Sequence, residues 1–264
     1  MQRRVTALLA AAALAVAACG DDEQETGGSG QPSVDLVNSG EITTCTHLPY
    51  QPFQFEQGGK IVGFDVDMID LVAKELGVKQ AIVDTPFEGI QSGEDLNARK
   101  CDIAAAAMTI TPEREEKIAF SAPYFDANQA LLVKKGSGIK GLEDLQGKTL
   151  GVQSGTTGKM YAEENAPEGV QLKDYEDLAL ELGSVKSGQI PAAINDIPVL
   201  LDYVKQNPEL EVATQFKTGE QYGFGLKKGT SEELKKVVDQ VIRQARSDGT
   251  YDRLYEKWFG TKPQ

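Results

Sequence analysis

Arg114 stands in an unexpected local setting. The sequence "TPER" predicts a short helix with Thr111 as its N-cap and Pro112 as its first helical residue. Arg114 then lies in the first turn, where the positive end of the helix dipole disfavours a cation by roughly 0.3–1 kcal/mol. An arginine can hold a carboxylate through two parallel hydrogen bonds, so an anionic ligand would make this position favourable. The alternative is a surface arginine paired with a neighbouring glutamate.

Two further positions could also bind a small ligand. Residues 154–158, "SGTTG", follow a predicted strand; the glycines allow close backbone approach, and the threonines offer an N-cap and hydroxyls. Asp196 follows another predicted strand, where its carboxylate serves as an N-cap or holds an ammonium group. An ordinary loop and an ordinary cap are the alternatives, and the spacing is not that of a phosphate-binding P-loop. An anion clamp together with a lone carboxylate is what a zwitterionic amino acid requires.

Strand and helix patterns alternate along the chain and predict an α/β fold with mostly parallel sheets. The predicted strands are 41–46, 79–84, 101–108, 129–135, 148–153 and 192–196. Helices are predicted at 63–77, ending at Gly77, and at about 198–206. A C-terminal helix is predicted to begin with a capping box at Thr230 and Glu233. Its apolar stripe is Leu234, Val237, Val238, Val241, Ile242 and Ala245. Ligands of such sheets bind beyond the carboxyl ends of the strands, where the three candidate positions lie.

Five segments, taken in order, closely resemble the polar-amino-acid binding proteins of ABC transporters. The resemblance covers residues 41–260. The segments are "LPYQPFQF", "GKIVGFDVDMIDLVAKELG", "MTITPEREEKIAFSAPYF", "LEDLQGKTLGVQSGTT" and "SDGTYDRLYEKWFG".

The resemblance implies a type II fold like that of periplasmic binding proteins. Two Rossmann-like α/β lobes are joined by two hinge strands and close on a ligand. Residues 41–126 and 223–264 are expected to form lobe 1, and 127–222 lobe 2. The implied function is to capture a polar amino acid and deliver it to an ABC permease, with no catalysis and no cofactor. We expect a monomer.

The resemblance also implies roles for five residues near the α-groups of the ligand. Arg114 resembles the arginine that binds the ligand α-carboxylate, and Thr157 resembles its partner from the other lobe. Asp196 is similar to the aspartate that takes the α-ammonium, helped by main-chain groups around Ala107 and Thr109.

Four more residues are expected near the ligand side chain. Tyr50 and Phe87 resemble aromatic walls, for which ordinary core packing is the alternative. Members of the family that bind basic or amide side chains often carry an aspartate where this chain has His47, which argues against lysine or arginine. Because histidine can donate to a carboxylate or amide, we expect glutamate, glutamine, aspartate or asparagine, unless His47 points to solvent. Gln153 borders the same pocket and can donate or accept.

The N-terminus predicts an export signal and a lipid anchor. Residues 1–18 carry Arg3 and Arg4 before an alanine- and leucine-rich run that is too short to span a bilayer comfortably. Small residues before Cys19 resemble a lipoprotein signal, after which Cys19 carries the lipid; an ordinary signal peptide is the alternative. Residues 19–40 predict a flexible polar tether. We therefore expect an extracytoplasmic domain anchored to the cell membrane through Cys19.

Charge and cysteine content argue against several other classes. The formal net charge is −13 and no run of Lys or Arg occurs, so nucleic acid and anionic lipid surfaces are poor partners. A single histidine, with Cys45 and Cys101 beyond the lipid site, argues against a His/Cys metal centre. Those two cysteines permit a disulfide in an exported protein, but the sequence alone leaves the pairing open.

Two other functions are compatible with the same fold. A sensor subunit could report amino acid levels to a membrane kinase by the same closing motion. A dehydratase acting on amino-acid-like cyclohexadienyl substrates would need a general acid facing the ligand. His47 is the only unusual titratable candidate, and no convincing acid–base pair is present.

Overall fold

The structure, a computed structural model, describes residues 34–263. The predicted signal peptide and Cys19 lie outside the described residues, as does the predicted tether up to residue 33. The end of that tether is held by the domain, because Val37 N–H donates to Asp102 Oδ1 at 2.6 Å.

The described residues form twelve strands, nine α-helices and a 3-10 turn at Leu142–Leu145. In chain order the strands are β1 (Glu41–Thr46), β2 (Phe55–Gln57), β3 (Lys60–Val62), β4 (Lys79–Asp84), β5 (Ile103–Ala104), β6 (Ile118–Phe120), β7 (Phe125–Lys134), β8 (Thr149–Gln153), β9 (Gln171–Tyr175), β10 (Ala192–Asp196), β11 (Leu210–Tyr222) and β12 (Gly225–Lys227). The helices are α1 (Phe64–Leu76), α2 (Phe87–Gln91), α3 (Glu94–Asn97), α4 (Pro112–Glu115), α5 (Thr157–Asn165), α6 (Leu178–Ser187), α7 (Ile197–Gln206), α8 (Glu232–Ser247) and α9 (Thr250–Phe259).

The first sheet has the strand order β4-β1-β5-β12-β6. Strands β4 and β5 run parallel to β1, whereas β12 is antiparallel to both of its neighbours. Helix α1 packs against β1, β4 and α8. Its predicted helical period is confirmed by a buried stripe, and it ends as predicted at Gly77, whose positive φ of 67° suits glycine. The stripe is Val66, Ile69, Val72, Ala73 and Leu76.

The second sheet has the order β11-β7-β10-β8-β9. Strand β8 is parallel to β9 and β10, but β7 is antiparallel to β10 and β11. Each sheet thus has two parallel and two antiparallel ladders, so the prediction of mostly parallel sheets is wrong. The reason is topological, because β7 in the second sheet and β12 in the first run against the direction of the other strands, and each pairs in antiparallel fashion on both sides.

The two long strands β7 and β11 pair with each other almost from end to end. Phe125 lies opposite Tyr222 at one end, and Lys134 lies opposite Leu210 at the other. The ladder is interrupted between Phe216 and the next paired residue, Glu220, where β11 carries extra residues. The predicted lobe limits at residues 126/127 and 222/223 fall near the start of β7 and the end of β11 and stay a prediction.

The predicted strand at 101–108 is much shorter than expected. Only Ile103–Ala104 are in a ladder, because the backbone leaves the strand direction soon afterwards. Ala107 has a φ of 47°, and its N–H donates to Asp65 Oδ2 at 2.8 Å instead of to a neighbouring strand. The alanine run therefore supplies a turn at the cleft, not a strand.

The C-terminal helix confirms its predicted stripe but not its predicted cap. All six apolar residues of the stripe in α8 are buried. The helix begins after Ser231 with no side-chain cap bond, so the predicted Thr230 and Glu233 capping box is wrong. The carboxylate of Glu233 accepts from Lys236 Nζ at 2.6 Å and is engaged one turn further along.

A disulfide joins Cys45 in β1 to Cys101, two residues before β5. Both cysteines are buried beside Ile90, Leu96 and Met108. The bridge settles the pairing that the sequence left open, and it lies directly beneath the loops that follow β1 and β5.

Candidate functional site

All nine residues predicted at the site line one cavity. They lie at or just beyond the carboxyl ends of strands from both sheets, as the α/β pattern predicts. The nine are His47, Tyr50, Phe87, Ala107, Thr109, Arg114, Gln153, Thr157 and Asp196. Gln54 and Ala106, which the sequence did not indicate, also line it, as does Thr156 of the predicted 154–158 loop.

Arg114 is buried, and two backbone carbonyls hold its guanidinium. Its Nη1 donates to Thr109 O at 2.7 Å, and its Nη2 donates to Gly155 O at 2.9 Å, across the cleft. A guanidinium has five N–H donors, so three remain for a ligand. Burial lowers the pKa of Arg114, while the carboxylates of Asp196 and Glu220 oppose that shift.

The helix that carries Arg114 begins at the predicted residue. It is too short to have the strong dipole that was expected at Arg114 from the sequence. Thr111 is the N-cap and its hydroxyl accepts from Arg114 N–H at 3.2 Å, with Pro112 in the first turn. Helix α4 spans only Pro112–Glu115, so its dipole is small and its N-terminus offers few free N–H groups. At this position the free N–H donors therefore belong to the Arg114 side chain and not to the helix end.

Asp196 occupies the predicted N-cap position of α7 but makes no side-chain capping bond. Its carboxylate instead accepts from Tyr50 Oη at 2.7 Å, from Tyr222 Oη and from Gln129 Nε2. Burial, and then the nearby carboxylate of Glu220, raises the pKa of Asp196 to about 6, although these three donors lower it. The group is therefore ionised at neutral pH.

A second carboxylate, Glu220 of β11, was not indicated by the sequence. Its Oε2 accepts from the hydroxyls of Thr109 and Thr157, each at 2.7 Å, and its Oε1 accepts from Gln129 Nε2 at 3.0 Å. A carboxylate only accepts, so both threonine hydroxyls must donate to Glu220 and present lone pairs elsewhere. Glu220 thus connects residues that belong to loops of the two different sheets.

The two aromatic residues predicted as walls have polar partners as well. The Tyr50 hydroxyl lies 2.8 Å from Asn195 Oδ1 in addition to its contact with Asp196. The ring of Phe87 lies 5.4 Å from Arg114 Cζ, a cation–π distance. Tyr50 therefore links the two sides of the cleft, and its role as a wall for the ligand side chain stays a prediction.

The main chain near Ala107 is already engaged by Asp65. The carboxylate of Asp65 accepts from Ala107 N–H and from Tyr124 Oη, the latter at 2.7 Å. Burial raises the pKa of Asp65 to about 7, and these two hydrogen bonds lower it. An ammonium needs acceptors, and of the main-chain carbonyls around Ala107 and Thr109, Thr109 O already accepts from Arg114.

His47 faces the cavity side of the loop after β1. Its Nδ1 lies 3.0 Å from Thr85 O, and its Nε2 is buried, so the imidazole does not point to solvent. Gln153 is 2 % exposed and lines the same cavity. Both residues therefore line the cavity, and their place beside a ligand side chain stays a prediction.

Neither a membrane-spanning helix nor a metal-binding cluster occurs within the part of the chain that the structure describes. No helix within 34–263 is both long and apolar enough to cross a bilayer. In the same range no three or more His, Cys, Asp or Glu side chains are grouped so as to hold a metal ion.

The sequence matches the profile of bacterial extracellular solute-binding proteins, family 3, over residues 42–261. A probable histidine-binding protein of Campylobacter jejuni is 30% identical over 261 residues, which cover 98% of this chain and 99% of that protein. The ABC transporter glutamine-binding protein GlnH of Bacillus subtilis is 35% identical over 213 residues, which cover 78% of this chain and 75% of the relative.

A solved structure agrees with the architecture. An ancestral arginine-binding protein bound to arginine superposes with a TM-score of 0.79 at 41% sequence identity, covering 84% of this chain and 99% of that one. The profile match spans both sheets and every residue of the cavity. The chain belongs to the family 3 bacterial extracellular solute-binding proteins and has their type II, two-lobed α/β fold.

Proposed function

We propose that this protein captures an amino acid with a polar side chain between two closing lobes and delivers it to an ABC permease. One observation carries the proposal. The buried guanidinium of Arg114, with three unused N–H donors, and the buried carboxylate of Asp196 line the same cavity. These two charges complement the α-carboxylate and α-ammonium of an amino acid. Relatives named for histidine, glutamine and arginine support this ligand class.

The contacts of Glu220 refine the proposed roles of the threonines. Because Thr157 donates its hydroxyl proton to Glu220, it is expected to meet the ligand carboxylate through its main-chain N–H in the first turn of α5. Thr109 likewise offers a lone pair and accepts from the ligand ammonium beside Asp196.

The first test is binding, with Arg114 as the probe. We expect Arg114→Ala to weaken amino acid binding by about 2–5 kcal/mol, roughly thirtyfold to several thousandfold, because a buried carboxylate loses its partner. Arg114→Lys keeps the charge but loses the two-pronged geometry and should also bind weakly. The exposed Arg243 of α8 supplies the matched control, Arg243→Ala. Calorimetry that finds Arg114→Ala within about threefold of wild type would contradict the proposal.

Closure is the step that couples binding to delivery. Ligand contacts on both sides of the cleft favour the closed form, because a ligand shifts an equilibrium by its differential affinity for the two states. We expect saturating ligand to reduce the radius of gyration in small-angle scattering. An unchanged radius at saturation would refute closure on the ligand.

The N-terminal anchor and the partners complete the proposal. We propose that residues 1–18 are removed and that a lipid on Cys19 holds the protein, as a monomer, outside the cytoplasm. Cys19→Ser should release it from the membrane fraction, and retention there would refute the anchor. Sedimentation analysis would test the monomer. Co-purification with a permease is expected, whereas co-purification with a kinase would favour the sensor function.

Binding without catalysis is the remaining part of the proposal. Asp196 is the only carboxylate among the described residues that line the cavity, and it and the adjacent Glu220 already accept from hydroxyl and amide donors, which favours binding over dehydration. Release of phenylpyruvate or phenylalanine from a cyclohexadienyl substrate would overturn this conclusion. The expected preference for glutamate, glutamine, aspartate or asparagine assumed that His47 donates to the ligand. The contact between His47 Nδ1 and Thr85 O determines which ring nitrogen carries the proton and so tests this assumption.

A further inference from the structure

Three side chains that line the cavity each keep one buried polar atom without a partner in the protein. These atoms are His47 Nε2, Gln54 Oε1 and Gln153 Oε1. Gln54 is 1 % exposed and Gln153 is 2 % exposed. Buried polar atoms in folded proteins are nearly always hydrogen-bonded, so three such atoms around one cavity point to a ligand that satisfies them.

The hydrogen-bonding polarity of His47 follows from its contact with Thr85. The Nδ1 atom lies 3.0 Å from Thr85 O. A carbonyl oxygen only accepts, so Nδ1 carries the proton. In its neutral form the imidazole with this tautomer offers a lone pair at Nε2, which makes His47 an acceptor towards the cavity.

The same reasoning orients both glutamine amides. Gln54 Nε2 lies 3.4 Å from His47 O, and Gln153 Nε2 lies 3.5 Å from Glu176 O. Reversing either amide would place its oxygen against a carbonyl oxygen. Each Oε1 is therefore the atom left over, and the three unpartnered atoms are all acceptors.

The formal charges of the site favour a ligand with a cationic side chain. The Arg114 guanidinium faces two carboxylates, Asp196 and Glu220. A zwitterion adds no net charge and leaves the site with one negative charge. A cationic side chain would bring the total to zero, whereas an anionic one would make it more negative.

We infer that the ligand side chain ends in N–H donors, that a guanidinium fits best, and that a carboxylate is rejected. A guanidinium presents five N–H donors and no acceptor, so it can satisfy all three oxygen and nitrogen acceptors at once. An amide supplies only two N–H donors and an oxygen that itself needs a donor. A carboxylate would place its two acceptor oxygens against the three acceptor atoms of the site. This inference rests on the proposed function and revises the expected glutamate or aspartate preference, which depended on donation by His47.

Calorimetry with four probes tests the inference on the purified protein. We expect L-arginine to bind most tightly and L-citrulline, its neutral ureido analogue, to bind more weakly. L-Glutamine should bind more weakly than arginine, and L-glutamate at least about a hundredfold more weakly. Tightest binding of citrulline, glutamine or glutamate would overturn the inference and leave amino acid capture standing. If none of the twenty amino acids binds, the proposed function itself fails.

Two acceptor variants test which residues set the preference. Gln153→Leu and Gln54→Leu remove one acceptor each at similar volume, and each should weaken arginine binding by about tenfold to a hundredfold. The same substitution at exposed Gln171 on β9 is the matched control and should leave the affinity unchanged. Melting curves without ligand show whether each variant is folded, and either folded variant serves the test. Folded variants that bind arginine as tightly as wild type would overturn the assignment.

Discussion

Asp196→Asn separates the energetic cost of a buried charge from its use in binding. Burial and the carboxylate of Glu220 raise the pKa of Asp196 from 3.8 to about 6, against the hydrogen bonds from Tyr222, Tyr50 and Gln129. Each pKa unit corresponds to about 1.4 kcal/mol, so ionisation of Asp196 costs the folded protein about 3 kcal/mol. The substitution removes that cost together with the counter-ion of the ligand ammonium.

The effect on stability depends on pH in a defined direction. Since the pKa of Asp196 is raised by folding, the folded protein keeps this proton where the unfolded chain has released it. The wild type therefore loses free energy of unfolding as pH rises from the unfolded pKa of 3.8 to the folded pKa of about 6, with no further loss above it. We expect the variant to match the wild type near pH ~4 and to be more stable by about 3 kcal/mol near pH ~7.5.

Urea unfolding without ligand, at both pH values, measures this difference. Calorimetry at the higher pH should show ligand affinity reduced by about 2–5 kcal/mol in the variant, because the ammonium loses its buried partner. The matched control is Asp202→Asn, at a partly exposed carboxylate on the same helix α7, which should change neither quantity.

Two results would refute the reasoning. A variant no more stable than wild type at the higher pH would show that Asp196 is not ionised at a cost to the fold. Unchanged affinity in the folded variant would show that its carboxylate does not meet the ligand.

Two further predictions concern residues outside the cavity lining. Burial raises the pKa of Glu181 to about 8, although the hydrogen bond from Asn195 lowers it. The wild type should therefore lose stability as pH rises from 4.5 to about 8, and Glu181→Gln should remove that part of the loss; parallel melting-temperature profiles for both proteins would contradict this. Reduction of the Cys45–Cys101 bridge, which closes a 56-residue separation, should lower the free energy of unfolding by about 4 kcal/mol in urea. The double variant Cys45→Ser/Cys101→Ser should not respond to reductant, and a wild-type loss below about 1 kcal/mol would contradict the chain-entropy reasoning.

Residues near one another in sequence were the predictable part of the site. Thr111, Pro112 and Arg114 form one turn, so local capping rules place the arginine correctly. The loop before α5 and the N-cap position of Asp196 follow from similar short patterns. Local patterns do not show whether a cap side chain makes its capping bond, and the carboxylate of Asp196 instead bonds to Tyr50, Tyr222 and Gln129.

Contacts between distant residues were not predictable from the chain pattern. Glu220 meets Thr109 across 111 positions, and nothing in "FKTGEQY" distinguishes it from an exposed glutamate. Gln129 lies in β7, where an apolar run follows it in sequence. The hydrogen bonds of its side-chain amide form only because the fold brings Asp196 and Glu220 beside it. Strand β11 was missed because its second half is mostly polar, with exposed Gln215, Lys217 and Gln221, and because Gly219 interrupts it.

The position of β12 within the first sheet has a consequence for the order in which the chain is made. Strand β12 lies between β5 and β6, although more than a hundred residues separate it from either. The second sheet, by contrast, is built from one continuous stretch, 125–222. During synthesis from the N-terminus, the second sheet has all its strands while β6 still lacks a partner. The first sheet, whose strands begin to be synthesised first, is therefore completed last. The Cys45–Cys101 bridge joins two segments of this part of the protein that are both available early.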